Sequence, residues 1–170
     1  LQVRARILCE PIGRNTGPAV LAAAEVMMSA DPDTVFVVVP ADHVIEGELG
    51  DPMGACLPAA QAGQIVTFGI KPRSPETGFG YIIDGGAMEG FGPVHRVDRF
   101  VEKPPLEDAV ALIETGHAYW ASGISMFSAE TILREYRKSD PETVDLVAKP
   151  VENSTEEDGA LHLELTSFGK

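Results

Sequence analysis

The chain has 170 residues and a formal net charge of −13, with 44% hydrophobic and 23% charged residues, which is typical of one ordinary globular domain. It contains no run of about 18 apolar residues, so no membrane-spanning helix is predicted. The acidic charge and the lack of a segregated basic patch argue against nucleic acid as a partner. Cys9 and Cys56 form neither a disulfide framework nor a zinc motif. With no signal-peptide core at the N-terminus, we expect one cytoplasmic domain over residues 1–170.

Strands and helices alternate along the first part of the chain. The predicted elements are a strand over Arg6–Glu10, a helix over Ala19–Met28, a strand over Thr34–Val39, a helix over Cys56–Ala62 and a strand over Ile65–Ile70. Pro18 suits the first turn of the first helix, and Asn15, Thr16 or Gly17 is its expected cap. The strand over Thr34–Val39 is β-branched and apolar on both faces, which predicts a buried central strand of a parallel sheet.

The second part of the chain continues the alternation. The predicted elements are strands over Tyr81–Asp84 and Val94–Val101, a helix over Leu106–Thr115, a strand over Ile124–Phe127 and a helix over Ala129–Lys138 with Ser128 as its cap. The acid-rich stretches DPETVD and ENSTEEDGA that follow are expected to form a solvated face or loop. The pattern predicts a Rossmann-like α/β fold with a mixed, mostly parallel sheet, helices on both faces, and ligands beyond the carboxyl ends of the strands.

Asp42 follows the most apolar predicted strand, in the stretch VVVPADH. A carboxylate at a strand end is well placed to bind Mg²⁺ through oxygen. The alternative is an aspartate that only caps a turn, and His43 is more simply a turn or packing residue than a base.

Two further motifs could bind a phosphorylated ligand. Glu102 and Lys103 end an alternating strand, where a lysine could neutralise phosphate and a carboxylate could accept sugar hydroxyls. Gly78 and Gly80, followed by Tyr81, allow a ligand to approach the backbone closely. An exposed ion pair and an ordinary turn are the respective alternatives.

A polar cluster and an aromatic segment complete the candidates. Arg14, Asn15 and Thr16 stand at a helix start, where anions are favoured, although simple capping also explains them. Tyr119–Gly123 places the single tryptophan beside small residues, as expected for an aromatic core anchor. The chain contains no P-loop, no G-x-G-x-x-G motif and no G-x-S-x-G elbow. The residues alone therefore predict an α/β domain with a polar rim for a phosphorylated ligand.

Several motifs in order resemble the mannose-1-phosphate guanylyltransferases, which are sugar nucleotidyltransferases. They are EPIGRNTGPAVLAAA, VVVPADHVI, IVTFGIKPRSPETGFGYI, FVEKP and YWASG, between about Leu8 and Leu133. The resemblance implies a nucleotide-diphospho-sugar transferase fold, transfer of GMP from GTP to mannose-1-phosphate, and release of pyrophosphate. Its implied partners are GTP and mannose-1-phosphate, with Mg²⁺ as the cofactor and a homo-oligomer possible.

The resemblance also assigns roles to individual residues. It implies that Asp42 binds Mg²⁺ and, with Lys103, takes part in catalysis. The implied nucleotide-binding residues are Arg14, Asn15, Thr16 and Asp42. The implied sugar-phosphate contacts are Gly78, Gly80, Tyr81, Glu102, Lys103, Ser122 and Gly123.

Two departures from the family pattern leave alternatives open. Ala121 replaces the asparagine usual in Trp-Asn-Ser-Gly, which weakens the assignment of mannose and leaves another sugar-1-phosphate as an alternative substrate. The family's Gly-rich triphosphate loop and its later Ser-Ile-Asp-Tyr-Ala block are absent from these residues, so we expect a fragment of a longer enzyme. A non-catalytic binding or regulatory module of the same fold is the remaining alternative.

Overall fold

The computed structural model describes residues 5–45 and 50–168. The described residues contain eight strands and six helices. In chain order these are β1 (Ile7–Cys9), α1 (Thr16–Met28), β2 (Val35–Val38), α2 (Gly50–Gln61), β3 (Val66–Ile70), β4 (Gly80–Ala87), β5 (His95–Glu102), α3 (Leu106–Glu114), β6 (Ala118–Ser128), α4 (Ala129–Ser139), α5 (Pro141–Glu152), β7 (Thr155–Glu157), β8 (Ala160–His162) and α6 (Leu165–Phe168). None of the helices in the described ranges is long and apolar enough to cross a membrane.

The chain divides into two compact units, residues 1–36 with 128–170 and residues 37–127. In the first unit, α1 packs against α4 and α5, and α5 packs against α6. Its apolar core includes Leu21, Leu133, Val144 and Val147, all of which are buried. A small sheet in the order β1-β8-β7 also belongs to this unit, with β1 parallel and β7 antiparallel to β8.

Caps explain where three helices of the first unit begin. The side chain of Asn15 accepts a hydrogen bond from the backbone N–H of Thr16, which selects Asn15 among the predicted caps of α1. Ser128 accepts from Thr131 N–H at 3.1 Å, which confirms the predicted cap of α4. Asp140 does the same for α5, a helix that sequence reasoning did not predict. The acid-rich residues of α5 face solvent while Val144 and Val147 are buried, so the expected solvated face is confirmed and has a buried side.

The second unit contains most of a five-stranded sheet in the order β2-β6-β4-β5, with β3 also paired to β6. The core beneath it includes Tyr81, Ile83, Ala109, Leu112 and Ala118. The α/β class is confirmed, but β3–β6, β4–β6 and β4–β5 are all antiparallel, so the predicted predominance of parallel pairs does not hold for these strands. The short connection between β4 and β5 accounts for that pair, since a short connection can only join antiparallel strands.

Three predicted strands differ in place or length. β2 is half-buried and stands at one end of the described strand order, so the prediction of a buried central strand was wrong. In β3 only Val66 is buried, and Gly69 and Ile70 are exposed. The predicted strand over Ile124–Phe127 is the end of the much longer β6.

Candidate active site

The paired ends of β4 and β5 bring Gly80 next to Glu102. The two residues are register partners in the antiparallel pair. A Cβ atom on Gly80 would lie 2.5 Å from Cζ of Phe100 and 2.9 Å from Oε2 of Glu102. Any side chain at this position would therefore displace the two side chains from β5 that cross directly over the glycine backbone. The Glu102 carboxylate is exposed and projects beside that backbone, where it can accept hydrogen bonds from a ligand.

Lys103 follows directly and adds a positive charge at the same place. Its backbone has φ of 43°, in the left-handed region, and its N–H donates to the carbonyl of Phe79 at 3.2 Å. Its Nζ lies 3.5 Å from Oε1 of Glu102, with both side chains more than 60% exposed. Such an exposed ion pair contributes little to stability. Both groups therefore stay available to a ligand.

Tyr81 supports this end of β4 from the core side of the sheet. Its side chain is fully buried in the core, and its hydroxyl donates to the carbonyl of Glu76 at 2.9 Å. That bond ties the turn-rich segment before β4 to the sheet. The side chain thus has a structural role, and only the Tyr81 backbone is near the strand end. Gly78 is exposed, and nothing lies within 4 Å of where its Cβ would be.

The middle of β6 lies beside the same end of β4. Trp120 is the register partner of Tyr81, so Ala121, Ser122 and Gly123 continue along the neighbouring strand. The Trp120 ring meets Phe79 edge-on, with centroids 5.2 Å apart, and packs against the core. This confirms the predicted aromatic anchor. The indole N–H is buried, and no residue within the described ranges accepts a hydrogen bond from it.

The turn that carries Asp42 lies against Gly123. A Cβ on Gly123 would be 3.1 Å from Cγ of Pro40 and 3.9 Å from Cε1 of His43, and Gly123 has φ of 74°. Ser122 is buried, and its hydroxyl accepts the N–H of Ile124 at 3.1 Å. Local bonding thus fixes Ser122, and the Pro40–His43 turn packs on the β6 backbone. Both candidates on β6 are therefore close to the Asp42 turn.

Asp42 itself is exposed on this turn. Across residues 5–45 and 50–168, no group of three or more histidine, cysteine, aspartate or glutamate side chains could hold a metal ion. A preformed protein cage is therefore not present in this part of the chain. Mg²⁺ is commonly bound through one or two carboxylates with substrate phosphates and water. A single exposed carboxylate such as that of Asp42 is compatible with that mode.

A cavity of about 630 Å³ opens beside the same turn. His43, Ile70, Arg73, Ser122 and Ile124 are among its lining residues. Its volume is in the range of small-molecule sites. Sequence reasoning did not single out Arg73, which lies in the turn-rich segment KPRSPETGFG and is a basic residue on the wall of this cavity.

The remaining predicted residues belong to the other unit. Arg14, Asn15 and Thr16 are exposed at the N-terminus of α1, and Asn15 has φ of 72°. Gly17 faces the hydroxyl of Tyr136, which would lie 2.8 Å from a Cβ at that position. The arrangement confirms capping by Asn15, and the exposed helix N-terminus is a suitable place for an anion.

Sequence reasoning missed Glu10, which precedes this segment. One of its carboxylate oxygens is buried and has no hydrogen-bond partner among the residues that the structure describes. Burial raises the pKa of the Glu10 carboxyl. An unpaired buried oxygen is costly, so it is a candidate acceptor for an N–H donor of a ligand. Glu10 ends the first predicted strand and opens the motif EPIGRNTGPAVLAAA, but neither signal indicated a buried carboxylate.

Comparison with known proteins gives a consistent family. Residues 1–163 match the family model described as "Nucleotidyl transferase". The chain is 39% identical over 167 residues to the alginate biosynthesis protein AlgA of Pseudomonas syringae pv. tomato, covering 95% of this chain and 34% of AlgA. It is also 39% identical over 170 residues to a mannose-1-phosphate guanylyltransferase of Sinorhizobium fredii, covering 96% of this chain and 32% of that protein. The chain thus spans about a third of the length of these curated relatives.

A solved structure resembles the fold as a whole. The crystal structure of mannose-6-phosphate isomerase from Helicobacter pylori superposes with a TM-score of 0.79 at 28% sequence identity. The match covers 97% of this chain and 63% of the other.

Proposed function

The chain belongs to the nucleotidyl transferase family, and we propose that its 170 residues form part of the catalytic domain of a mannose-1-phosphate guanylyltransferase. The reaction is transfer of GMP from GTP to mannose-1-phosphate, with release of pyrophosphate. The observation that carries the proposal is the corner formed by Gly80, Glu102 and Lys103, in a chain that shares 39% identity with a relative named for this activity. The free cysteines support a cytoplasmic location, where GTP is available.

On the sugar side, we assign roles by chemistry. The Glu102 carboxylate accepts hydrogen bonds from sugar hydroxyls, and the open backbone at Gly78 lets the sugar approach, while Gly80 leaves room for the Glu102 side chain. The Lys103 ammonium neutralises the phosphate of the sugar. The backbone around Tyr81, Ser122 and Gly123 also contacts the sugar, beside the unpaired indole N–H of Trp120.

On the nucleotide side, the α1 N-terminus and the Asp42 turn have different tasks. Arg14, Asn15 and Thr16 contact the nucleotide, with the helix N-terminus favouring its negative charge. The buried Glu10 oxygen is an acceptor suited to the N–H groups on the guanine edge. Asp42 holds Mg²⁺, which when bound neutralises charge on the triphosphate.

The bond changes need no enzyme nucleophile. A phosphate oxygen of mannose-1-phosphate attacks the α-phosphorus of GTP, and the bond from that phosphorus to the bridging oxygen of pyrophosphate breaks. The chain's task is to align the two phosphates and to neutralise charge, which is how phosphoryl-transfer enzymes generally act. We assign the neutralisation of charge on the sugar phosphate to Lys103.

Pyrophosphate release tests the proposal. The intact protein is mixed with GTP, Mg²⁺ and mannose-1-phosphate, and we expect GDP-mannose and pyrophosphate in equal amounts. Omitting the sugar phosphate is the control and should give neither. A well-folded sample that releases no pyrophosphate under these conditions would contradict the assignment.

Ala121 favours a second candidate, a nucleotidyltransferase for another sugar-1-phosphate. It lies on β6 next to Ser122, where an asparagine amide would add a polar contact to the sugar. One such hydrogen bond contributes about 0.5–1.5 kcal/mol, or roughly tenfold in affinity at most. A panel of sugar-1-phosphates separates the candidates, since the mannose assignment requires mannose-1-phosphate to give the highest kcat/KM. Ala121→Asn should lower KM for mannose-1-phosphate if mannose is the substrate.

A further inference from the structure

A second cavity lies at the opposite end of the β4–β5 hairpin from the Gly80–Glu102 pair. We call it the hairpin cavity; its volume is about 640 Å³, within the range of small-molecule sites. Thr67, Asp84, His95 and Arg96 are among its lining residues. None of the residues assigned above to the sugar, nucleotide or metal lines it. Asp84 is four residues along β4 from Gly80, which corresponds to about 13 Å at 3.3 Å per residue.

An aspartate–histidine pair forms the polar wall of the hairpin cavity. Nδ1 of His95 lies 2.8 Å from both carboxylate oxygens of Asp84, and the N–H of Gly86 donates to Oδ1 at 2.7 Å. These bonds, that from Gly86 first, hold the pKa of Asp84 below its ordinary range. The Asp84 side chain is only 14% exposed, whereas that of His95 is 49% exposed. The carboxylate is therefore fixed, and the ring remains accessible.

The pair leaves the other ring nitrogen of His95 for a ligand. An ionised Asp84 requires the proton on Nδ1, so Nε2 of the neutral ring carries a lone pair. Within the described ranges, no side chain or backbone group pairs with Nε2. A hydroxyl group of a ligand is a suitable donor to this nitrogen.

Arg96 gives the hairpin cavity a positive charge in a chain whose net charge is −13. It has no ion-pair partner among residues 5–45 and 50–168. An arginine guanidinium matches a phosphate through two parallel hydrogen bonds. Because most of the chain's charged groups are negative, an unpaired arginine on a cavity wall is a candidate binding site for an anion.

The rest of the wall is apolar. Ile65 and Val97 line the hairpin cavity and are 47% and 50% exposed, and Tyr119 lines it as well. Such surfaces suit the C–H faces of a sugar ring. The wall therefore offers an acceptor for hydroxyl groups, a cation for phosphate and an apolar surface for a ring.

We propose that the hairpin cavity is a second binding site, outside the proposed active site, for a sugar phosphate. Arg96 binds the phosphate, Nε2 of His95 accepts a hydroxyl, and Ile65, Val97 and Tyr119 contact the ring. Asp84 is a positioning residue that sets the tautomer of His95. Asp84 and Gly80 are both on β4, so a ligand in the hairpin cavity lies against the strand that also carries Gly80.

Calorimetry on the intact protein tests this proposal, with mannose 6-phosphate as the probe and no GTP present. We expect saturable binding that Arg96→Gln and His95→Asn each weaken by about tenfold or more, the loss typical of a hydrogen bond to a charged or fixed partner. Arg99→Gln, on the same strand but outside the cavity, and His162→Asn are the matched controls and should not change the affinity. Asp84→Asn should weaken binding less than His95→Asn, because the ring is kept and only its tautomer is released.

Glu102→Gln separates the two sites. It should leave the affinity for mannose 6-phosphate unchanged, because Glu102 does not line the hairpin cavity. Inorganic phosphate should bind more weakly than mannose 6-phosphate and should depend on Arg96 but not on His95. The proposal is overturned if no heat is seen at about 10 mM probe. An affinity in the Arg96 or His95 variant equal to that of the unsubstituted protein, or loss of binding in the Glu102 variant, overturns it as well. Circular dichroism verifies that each variant is folded.

Discussion

Replacing Gly80 by alanine should separate folding from sugar binding. The new Cβ would lie 2.5 Å from Cζ of Phe100 and 2.9 Å from Oε2 of Glu102, closer than real Cβ contacts allow. Both atoms are at the ends of exposed side chains, Phe100 being 55% exposed, so they can move. A displaced rotamer costs about 0.5–1.5 kcal/mol, and replacing a strand glycine by alanine returns about 0.5–1 kcal/mol. The net change in the free energy of unfolding should therefore be within about 1 kcal/mol.

The effect on activity should be much larger than the effect on stability. Displacing the Glu102 carboxylate removes a charged hydrogen bond worth about 1.5–3 kcal/mol, which is roughly ten- to more than hundredfold in kcat/KM for the sugar phosphate. Steady-state pyrophosphate release and urea denaturation measure the two quantities. Gly54→Ala is the control, since nothing lies within 4 Å of its Cβ position.

A double-mutant cycle identifies the route of the effect. If the alanine acts by moving Glu102, Gly80→Ala should add little in a Glu102→Ala background. Full additivity, or loss of stability in proportion to loss of activity, would refute the reasoning.

Three other changes test separate parts of the molecule. Asp42→Asn should cut pyrophosphate release on the order of a hundredfold or more and leave the melting temperature unchanged, because the side chain is exposed; unaltered turnover would remove Asp42 from the metal site. The pKa of Asp84 is lowered from its ordinary 3.8, so its stabilising contribution is present above that pH and is lost as the pH falls through the lower folded value; acid titration of Asp84→Asn should lack this loss. Ser128→Ala should lower the free energy of unfolding by about 1–2 kcal/mol, because its hydroxyl caps Thr131 N–H in a buried place; an unchanged urea midpoint would contradict the cap.

The sequence predicted the starts of helices that are set by a capping side chain close by in the chain. The helix α4 begins where a serine cap precedes a good helix-forming run, and α1 begins at one of three proposed caps. Neither requires knowledge of distant residues. The strand order does depend on distant residues. The valines of β2 predicted a central strand, but the burial of a strand depends on which strands pair beside it. β2 stands at one end of the described order.

The length of β6 was hidden by its composition. The single tryptophan beside small residues favoured an aromatic anchor over Tyr119–Gly123, separate from the predicted strand over Ile124–Phe127. In the structure both belong to β6, and Gly123, with φ of 74°, is an irregularity inside it. The helix α5 was missed because charged residues interrupt its apolar ones. Its inner face is formed by Val144, Val147 and Pro150, which are buried at three-residue spacing.

The candidate site was predicted only where its residues are neighbours in the sequence. Glu102 and Lys103 are adjacent in sequence, so their proximity needed no fold. The crossing of Phe100 over Gly80 and the contact of Asp84 with His95 arise from strand register, including a bulge between Ile83 and Asp84 that no local pattern indicates. The roles proposed for Asp42, Arg14 and the other site residues stay predictions.

The left-handed backbone of Lys103 has a consequence for engineering the protein. Holding a non-glycine residue there costs about 1–2 kcal/mol, and the N–H bond to Phe79 keeps it in place. A library selected only for thermal resistance should therefore enrich Lys103→Gly, which relieves the backbone and discards the ammonium group. If Lys103 neutralises the sugar phosphate as proposed, such variants lose turnover as they gain stability. A selection for thermostable variants then needs an activity assay, or position 103 left unchanged.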